Sequence, residues 1–179
     1  MTRDYVSLQR RPFLTPIWLS VIGAVLAVGL LGFSAWVWAT APSTTVVVIQ
    51  DPKLDPAGEA RAELLARMFG DSHSIGCVSA IYVSPTQRNR LTAAPLATRL
   101  GLTPVVLDGV DSKGLVRRIL HEHVGGRILV VGLRDTVPDI VAALSGIKQV
   151  PPIGEDEYGT MYIVSVPRIG RANVLRVSY

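Results

Sequence analysis

Two arginines occupy positions where a protein can bind an anion. Arg88 lies in the first turn of a predicted helix, where backbone N–H groups and the helix dipole favour negative charge. Arg134 follows a later apolar strand and adds a cation at the same edge of the predicted sheet. We therefore take Arg88 and Arg134 as candidate anion-binding residues. The alternative for each is an ordinary solvent-exposed arginine.

The other residues with catalytic potential do not form a recognisable site. Cys77 is the single cysteine, and no Cys/His group has zinc spacing. His121 and His123 are two residues apart on a predicted helix, so they point to different faces. We expect both to be solvated near the helix C-terminus, and His73 to lie in a loop. We predict no metal site and no cofactor, and interpret the acidic residues 155–157 as a solvated turn or a partner-binding edge.

The elements that must position these residues follow an apolar N-terminal segment. Residues 17–39 contain no charge and would form a helix of about 34 Å, enough to cross a bilayer core. Tryptophans lie near both ends of this segment, as in interfacial aromatic belts.

The charges around the segment predict its orientation. Three arginines precede it and no basic residue follows until Lys53, so residues 1–16 are predicted to be cytoplasmic. A signal peptide cleaved near residues 39–41 is the alternative, but the apolar run exceeds the usual length of about 7–15 residues.

Composition narrows the class of protein. The chain has 179 residues, 49% hydrophobic and 18% charged, with a net charge of +4. The low charged fraction argues against disorder. The N-terminal tail contributes half of the net charge, and no long Lys/Arg run follows it. The basic pI therefore reflects membrane topology, and we predict no nucleic-acid partner.

After a linker at residues 40–45, β-branched runs alternate with helical patterns through residues 46–179. This alternation predicts an α/β domain with a doubly wound, mostly parallel sheet. Ligands of such sheets bind beyond the carboxyl ends of the strands, which points to the loops at residues 50–52, 84–88 and 132–135. The predicted strands cover residues 45–50, 78–83, 104–107, 127–131, 161–166 and 172–177, and the predicted helices cover residues 56–69, 85–100, 112–123 and 136–144.

Two helix details follow from local signals. Ser84 is predicted to cap the helix that continues with Pro85, and Gln87 to complete a capping box. On the preceding helix, the apolar spacing predicts a core-facing stripe. That stripe consists of Ala60, Leu64, Leu65 and Met68.

Four segments of the chain carry motifs that occur together in one known family. Residues 84–93, SPTQRNRLTA, are similar to S-P-x-x-R-x-x-x-T-A. Residues 130–138, VVGLRDTVP, resemble V-V-G-H-S-N-T-V-P, residues 54–62 resemble L-S-x-x-G-x-x-R-A, and residues 156–159 fit the segment that leads into the closing strands. Together they resemble the histidine phosphatase (phosphoglycerate-mutase-like) superfamily, near its phosphohistidine-phosphatase branch. The resemblance covers residues 44–179 and implies that fold, with a phosphate pocket of two histidines and two arginines, Arg88 being one.

The chain departs from this pattern at the catalytic positions. The family's R-H-G/A-E should follow the first strand, but Gln50 runs directly into Asp51 and Pro52. Leu133 stands at the second histidine position, and Arg134 where a small polar residue is usual. We therefore predict no catalytic residue.

The resulting hypothesis is a membrane-anchored pseudophosphatase, a single-pass protein of the bacterial inner membrane with its C-terminal domain outside the cytoplasm. It would act as a binding or scaffolding module for an anionic ligand or a protein partner. The first alternative is a phosphatase with residual or altered activity on phosphomonoesters or phosphohistidine. The second is a structural envelope component with a vestigial pocket.

Overall fold

The computed structural model describes residues 17–39, 43–50, 55–70, 77–107, 111–154 and 157–179. Contacts between Cα atoms divide the chain into two units, Met1–Thr40 and Ala41–Tyr179. The first unit contains helix α1, Ile17–Ala39. Its stretch Trp18–Trp36 has a mean hydropathy of 2.0 and is long and apolar enough to cross a membrane, a criterion that an N-terminal signal sequence also meets. The helix is therefore compatible with the predicted anchor.

The second unit is built on one mixed sheet of six strands in the order β3-β2-β4-β1-β5-β6. Strands β3, β2, β4 and β1 run parallel, and β5 is antiparallel to both β1 and β6. This confirms the predicted α/β class. The strands are β1 Thr44–Gln50, β2 Ala80–Val83, β3 Val105–Val106, β4 Arg127–Gly132, β5 Thr160–Val166 and β6 Asn173–Ser178.

Four helices cover the two faces of this sheet. They are α2 Pro56–Phe69, α3 Gln87–Leu100, α4 Ser112–Glu122 and α5 Val137–Ser145. Helices α2 and α3 pack on one face, while α4 and α5 pack on the other. Every strand and helix of this unit ends within about two residues of its predicted position, the usual uncertainty of element boundaries. Strand β1 begins at Thr44, inside the segment predicted as a linker.

The unbroken apolar run of β1 reflects burial on both sides, as expected for a central parallel strand. Val46 and Val48 belong to the core beneath α4 and α5. Val47 and Ile49 belong to the core beneath α2 and α3. None of the four is more than 1% exposed. Neighbouring β4 alternates in the same way, so β1 and β4 form the centre of the domain.

The predicted core stripe of α2 is wrong for three of its four residues. Leu65 is buried, but Ala60 is exposed and Leu64 and Met68 are each 41% exposed. The helix packs instead through a stripe of mostly small residues, Gly58, Ala62, Leu65 and Ala66. Small side chains let the helix approach the sheet closely. Two apolar stripes with helical spacing coexist on α2, and periodicity alone does not tell which one faces the core.

The predicted start of α3 is also wrong, by two residues. Thr86 is the N-cap, with its Oγ1 accepting a hydrogen bond from the backbone N–H of Asn89 at 3.4 Å. Ser84 is buried and hydrogen-bonded to the Asn89 side chain instead. The Ser84 hydroxyl therefore accepts a buried hydrogen bond from Asn89 and does not cap the helix.

Candidate functional site

The carboxyl ends of β2, β4 and β1 meet at one edge of the sheet. Gln50 at the end of β1 is in register with Gly132 of β4, and Val131 with Val83 of β2. The loops that follow these strands are therefore neighbours. Gln50 is 4% exposed, and its Oε1 has no hydrogen-bond partner in the described part of the chain. The next predicted loop residues, 51 and 52, lie outside the described residues.

A buried asparagine ties α3 to the central strands at this edge. Asn89 is 0% exposed. Its Nδ2 donates to the Ser84 hydroxyl and to the backbone carbonyl of Val131 at 3.3 Å. The backbone N–H of Ser84 donates to the same carbonyl at 3.0 Å. The first turn of α3, which carries Arg88, is thus held in place by β4.

A tight turn joins β4 to α5 on the other side of the edge. A Cβ added at Gly132 would lie 3.0 Å from Val137 Cγ2 and 3.3 Å from Thr136 Oγ1, so only glycine fits easily. The Leu133 carbonyl accepts from the backbone N–H groups of Thr136 at 2.9 Å and Val137 at 3.0 Å. The Leu133 N–H donates to Thr136 Oγ1 at 3.1 Å. These bonds fix the position of Leu133.

A pocket of about 340 Å³ opens beside this turn, on the face covered by α4 and α5. Such a volume is typical of small-molecule sites. The walls are largely apolar, and the charged lining residues are Asp111 and Arg118. The apolar lining residues are Pro85, Val106, Leu107, Leu115, Leu133 and Ile140.

Arg118 is the basic side chain that lines the pocket. Its Nε donates to both carboxylate oxygens of Glu122, at 3.2 and 3.0 Å, and its guanidinium lies 6.0 Å from the ring centroid of Tyr82. The hydrogen bond to Glu122 raises the pKa of Arg118. Sequence reasoning missed Arg118 because it lies on a helix between strands, far in sequence from the loops that form the edge. Only the packing of α4 brings it there.

The two predicted anion-binding arginines lie at the carboxyl edge but outside the pocket lining. Arg88 is exposed in the first turn of α3, and its carbonyl accepts from Thr92 Oγ1 at 3.1 Å. The Arg134 side chain is 39% exposed, with its Nε 3.7 Å from the Asp135 carboxylate. Both are close in the fold to the turns described above.

The histidines that the structure describes lie away from this edge. His121 is exposed, as expected, but the expectation of a solvated side chain is wrong for His123. His123 Nε2 is 2.9 Å from the hydroxyl of Tyr82, and the rings meet edge to face. The contact forms because α4 ends over β2. Burial raises the pKa of the Tyr82 hydroxyl.

The remaining candidates add no chemistry to the edge. Cys77 is half-buried before β2. His73 and residues 155 and 156 lie outside the described residues. Glu157 accepts a hydrogen bond from Thr160 Oγ1 at 2.9 Å and pairs with Arg176. Within the described ranges, no three His, Cys, Asp or Glu side chains form a group that could hold a metal ion.

Comparison with known proteins identifies the fold. The model of the histidine phosphatase superfamily (branch 1) matches residues 39–111, and no curated protein matches the chain. The structure of the protein histidine phosphatase SixA complexed with tungstate is similar, with 18% identity, a TM-score of 0.57, and coverage of 76% of this chain and 96% of that one. A mycobacterial glucosyl-3-phosphoglycerate phosphatase has 15% identity, a TM-score of 0.56 and coverage of 75% and 97%. Phosphoglycerate mutase from Plasmodium falciparum has 12% identity and a TM-score of 0.56, and the match covers 77% of this chain and 91% of that one.

The buried hydrogen bonds of Asn89 generate a stability prediction. We expect Asn89→Ala to lower the free energy of unfolding by about 1–3 kcal/mol, because Ser84 Oγ and the Val131 carbonyl each lose a buried donor. Chemical denaturation of the full chain in detergent, followed by circular dichroism, measures this. Arg90→Ala, one position further on the exposed side of α3, is the control and should change the value by less than about 0.5 kcal/mol. Equal midpoints for the two variants would contradict the structural role of Asn89.

Proposed function

Because the chain has the histidine phosphatase fold and its residues 39–111 match that superfamily's model, we propose that it is a membrane-tethered, non-catalytic member that binds a small anionic ligand. The observation that carries this proposal is the position of Leu133. This side chain lines the pocket directly after Gly132, where the family pattern has its second histidine.

Leu133 supplies no proton, lone pair or charge to a phosphoryl group. Its backbone is fixed by the turn to α5, so a neighbouring residue cannot slide into its place. The first histidine of the family pattern is also missing, since Asp51 and Pro52 follow Gln50. His121 and His123 belong to the far end of α4 and do not replace it. In a protease, losing a covalent nucleophile costs about a million-fold in rate.

The charges at the edge favour an anionic ligand. Arg88 stands in the first turn of α3, where backbone N–H groups already favour negative charge. Arg134 follows the neighbouring strand. Inside the pocket, Arg118 is offset by Asp111 and Glu122, so the excess of positive charge comes from Arg88 and Arg134. The apolar walls around Leu133 suit a ligand that carries an apolar part next to its acidic group. A protein partner bearing such a group at a flexible end would bind in the same way.

The N-terminal helix supports a tethered location for this module. Trp18–Trp36 is long and apolar enough to span a bilayer, and the arginines before it favour a cytoplasmic N-terminus. We propose a bacterial inner-membrane protein whose domain lies outside the cytoplasm.

A residual phosphatase activity is the second candidate. It is favoured by the retained Arg88 within the segment 84–93 and by the phosphatases among the structural neighbours.

The absence of catalytic histidines predicts no turnover. The full chain in detergent should hydrolyse neither an aryl phosphate nor a phosphohistidine peptide faster than its Arg88→Ala variant does. Release of phosphate is the measurement, and Arg90→Ala is the matched control for loss of an exposed arginine from α3. Turnover that disappears in Arg88→Ala but persists in Arg90→Ala would overturn the non-catalytic proposal in favour of the phosphatase.

The arginines at the edge predict weak binding of inorganic phosphate. Calorimetry should detect binding in the millimolar range, because the rim cations are partly exposed and screened by salt. Arg88→Ala and Arg134→Ala should each weaken it severalfold, whereas Arg90→Ala should leave it unchanged. No binding at millimolar phosphate would count against an anionic ligand and favour a purely structural role.

The charge asymmetry around α1 predicts the orientation of the protein. A reporter active only outside the cytoplasm, fused after Tyr179 of the full chain, should be active in bacteria. Replacing the three N-terminal arginines by glutamate should reduce that activity, since the positive-inside signal is then lost. An inactive reporter on a well-expressed fusion would refute the proposed location of the domain.

A further inference from the structure

The edge of the sheet opposite the pocket is formed by three adjoining segments, residues 43–45, 123–127 and 167–172, which we call the tether edge. The register of β1 with β5 pairs Thr44 with Val166, so the β5–β6 turn begins beside the start of β1. On the other side, the backbone N–H of Thr45 donates to the Gly126 carbonyl at 2.9 Å. The N–H of Gly125 donates to Thr44 Oγ1, also at 2.9 Å. The α4–β4 turn is thus hydrogen-bonded to the first residues of β1, and the β5–β6 turn begins beside them.

The tether edge combines exposed aliphatic tips with positive charge. Ile169, in the β5–β6 turn, is 66% exposed, and Val124, in the α4–β4 turn, is 48% exposed. The three segments contain Arg127, Arg168 and Arg171 and no acidic residue. Arg168 directly precedes Ile169 and Arg171 follows it by two residues, and both arginines are exposed.

The β5–β6 turn has a backbone that holds this arrangement at its tip. Gly170 has a φ of +111°, a conformation that side-chain-bearing residues rarely adopt. It therefore allows a tight reversal immediately after Ile169. The turn therefore presents the Ile169 side chain at the surface of the domain.

The length of the connecting chain says which surface is available. Helix α1 ends at Ala39 and β1 begins at Thr44, so five residue steps separate them, at most about 18 Å of extended chain. If α1 spans a bilayer, the start of β1 is confined within that distance of the end of the span. A connection this short keeps the tether edge close to the lipid surface, so weak contacts between the two are favoured by a high effective concentration.

We propose that the tether edge docks on the anionic headgroups of the membrane that holds α1. Ile169 and Val124 enter the headgroup region, and the arginines contact lipid phosphates, each basic residue contributing about 1 kcal/mol near an anionic surface. The inference rests on the membrane tether of the proposed function and is independent of the ligand at the opposite edge. Docking in this way turns the pocket away from the bilayer and leaves its rim open.

The test uses the full chain reconstituted in vesicles, with an environment-sensitive fluorophore attached at Ile169→Cys in a Cys77→Ser background. The control site is Asp135→Cys, in the turn after β4 at the opposite edge, where the native side chain is 92% exposed. Vesicles contain a nitroxide-labelled lipid as quencher, in phosphatidylcholine with or without phosphatidylglycerol. We expect severalfold stronger quenching at position 169 than at position 135 when phosphatidylglycerol is present, and a marked loss of this difference without it.

A charge-reversal pair tests the electrostatic part. Arg171→Glu should reduce the quenching at position 169 severalfold, because it places a carboxylate against the anionic lipid. Arg90→Glu makes the same charge change on the exposed side of α3 and should leave the quenching unchanged. Equal effects of the two variants would show that net charge alone is responsible and would overturn the assignment to this edge.

The remaining outcomes separate this inference from its premise. Alkaline carbonate should leave the unlabelled protein in the membrane. Its extraction would contradict the tether, and the docking with it. If the protein stays in the membrane but the probe at position 169 is no more quenched than that at position 135, the docking is wrong and the tether stands. Quenching that rises with protein density at constant lipid composition would assign the tether edge to a second copy of the chain and would also overturn the docking.

Discussion

Burial of both faces of β1 and β4 is the constraint on which the rest of this domain depends. These two strands lie side by side in parallel, and their valines and isoleucines fill a core on each side of the sheet. A parallel pair needs a crossover connection, so the helices are placed on the faces and the loops on the edges. The division into a carboxyl edge with a pocket and an amino edge where β1 begins follows from this arrangement.

The carboxyl edge is built by the backbone and by packing. Gly132 permits the close approach of α5, and Asn89 ties the first turn of α3 to β4. The tight turn after β4 presents Leu133 to the pocket. Backbone hydrogen bonds and packing maintain such a site regardless of which side chain points into it. The fold alone therefore does not determine the function, which has to be argued from the side chains at the edge.

The two edges of the sheet carry separate groups of arginines, on which the two proposals rest. Arg88, Arg118 and Arg134 surround the carboxyl edge, where the pocket suggests a small ligand. Arg127, Arg168 and Arg171 lie at the amino edge, near the start of β1. This separation explains how a domain with little net charge can offer two basic surfaces. The proposed docking depends on the short connection between α1 and β1, because β1 begins at the amino edge.

The sequence by itself determined the alternation of elements and, to within about two residues, their bounds, because these depend on local residue patterns. It also placed Arg88 and Arg134 in loops and turns at the carboxyl edge, since parallel strands bring the loops that follow them together. Tertiary structure alone decided which stripe of α2 is buried, because Leu64 and Met68 have the same spacing as the residues that face the core. Tertiary structure also decided three contacts: Arg118 at the pocket, the hydrogen bond between Ser84 and Asn89, and the contact of His123 with Tyr82. Arg118 and His123 contact residues that are distant in sequence. Ser84 could have capped α3 locally, and only the packing of that helix against the sheet gives its hydroxyl a buried partner instead.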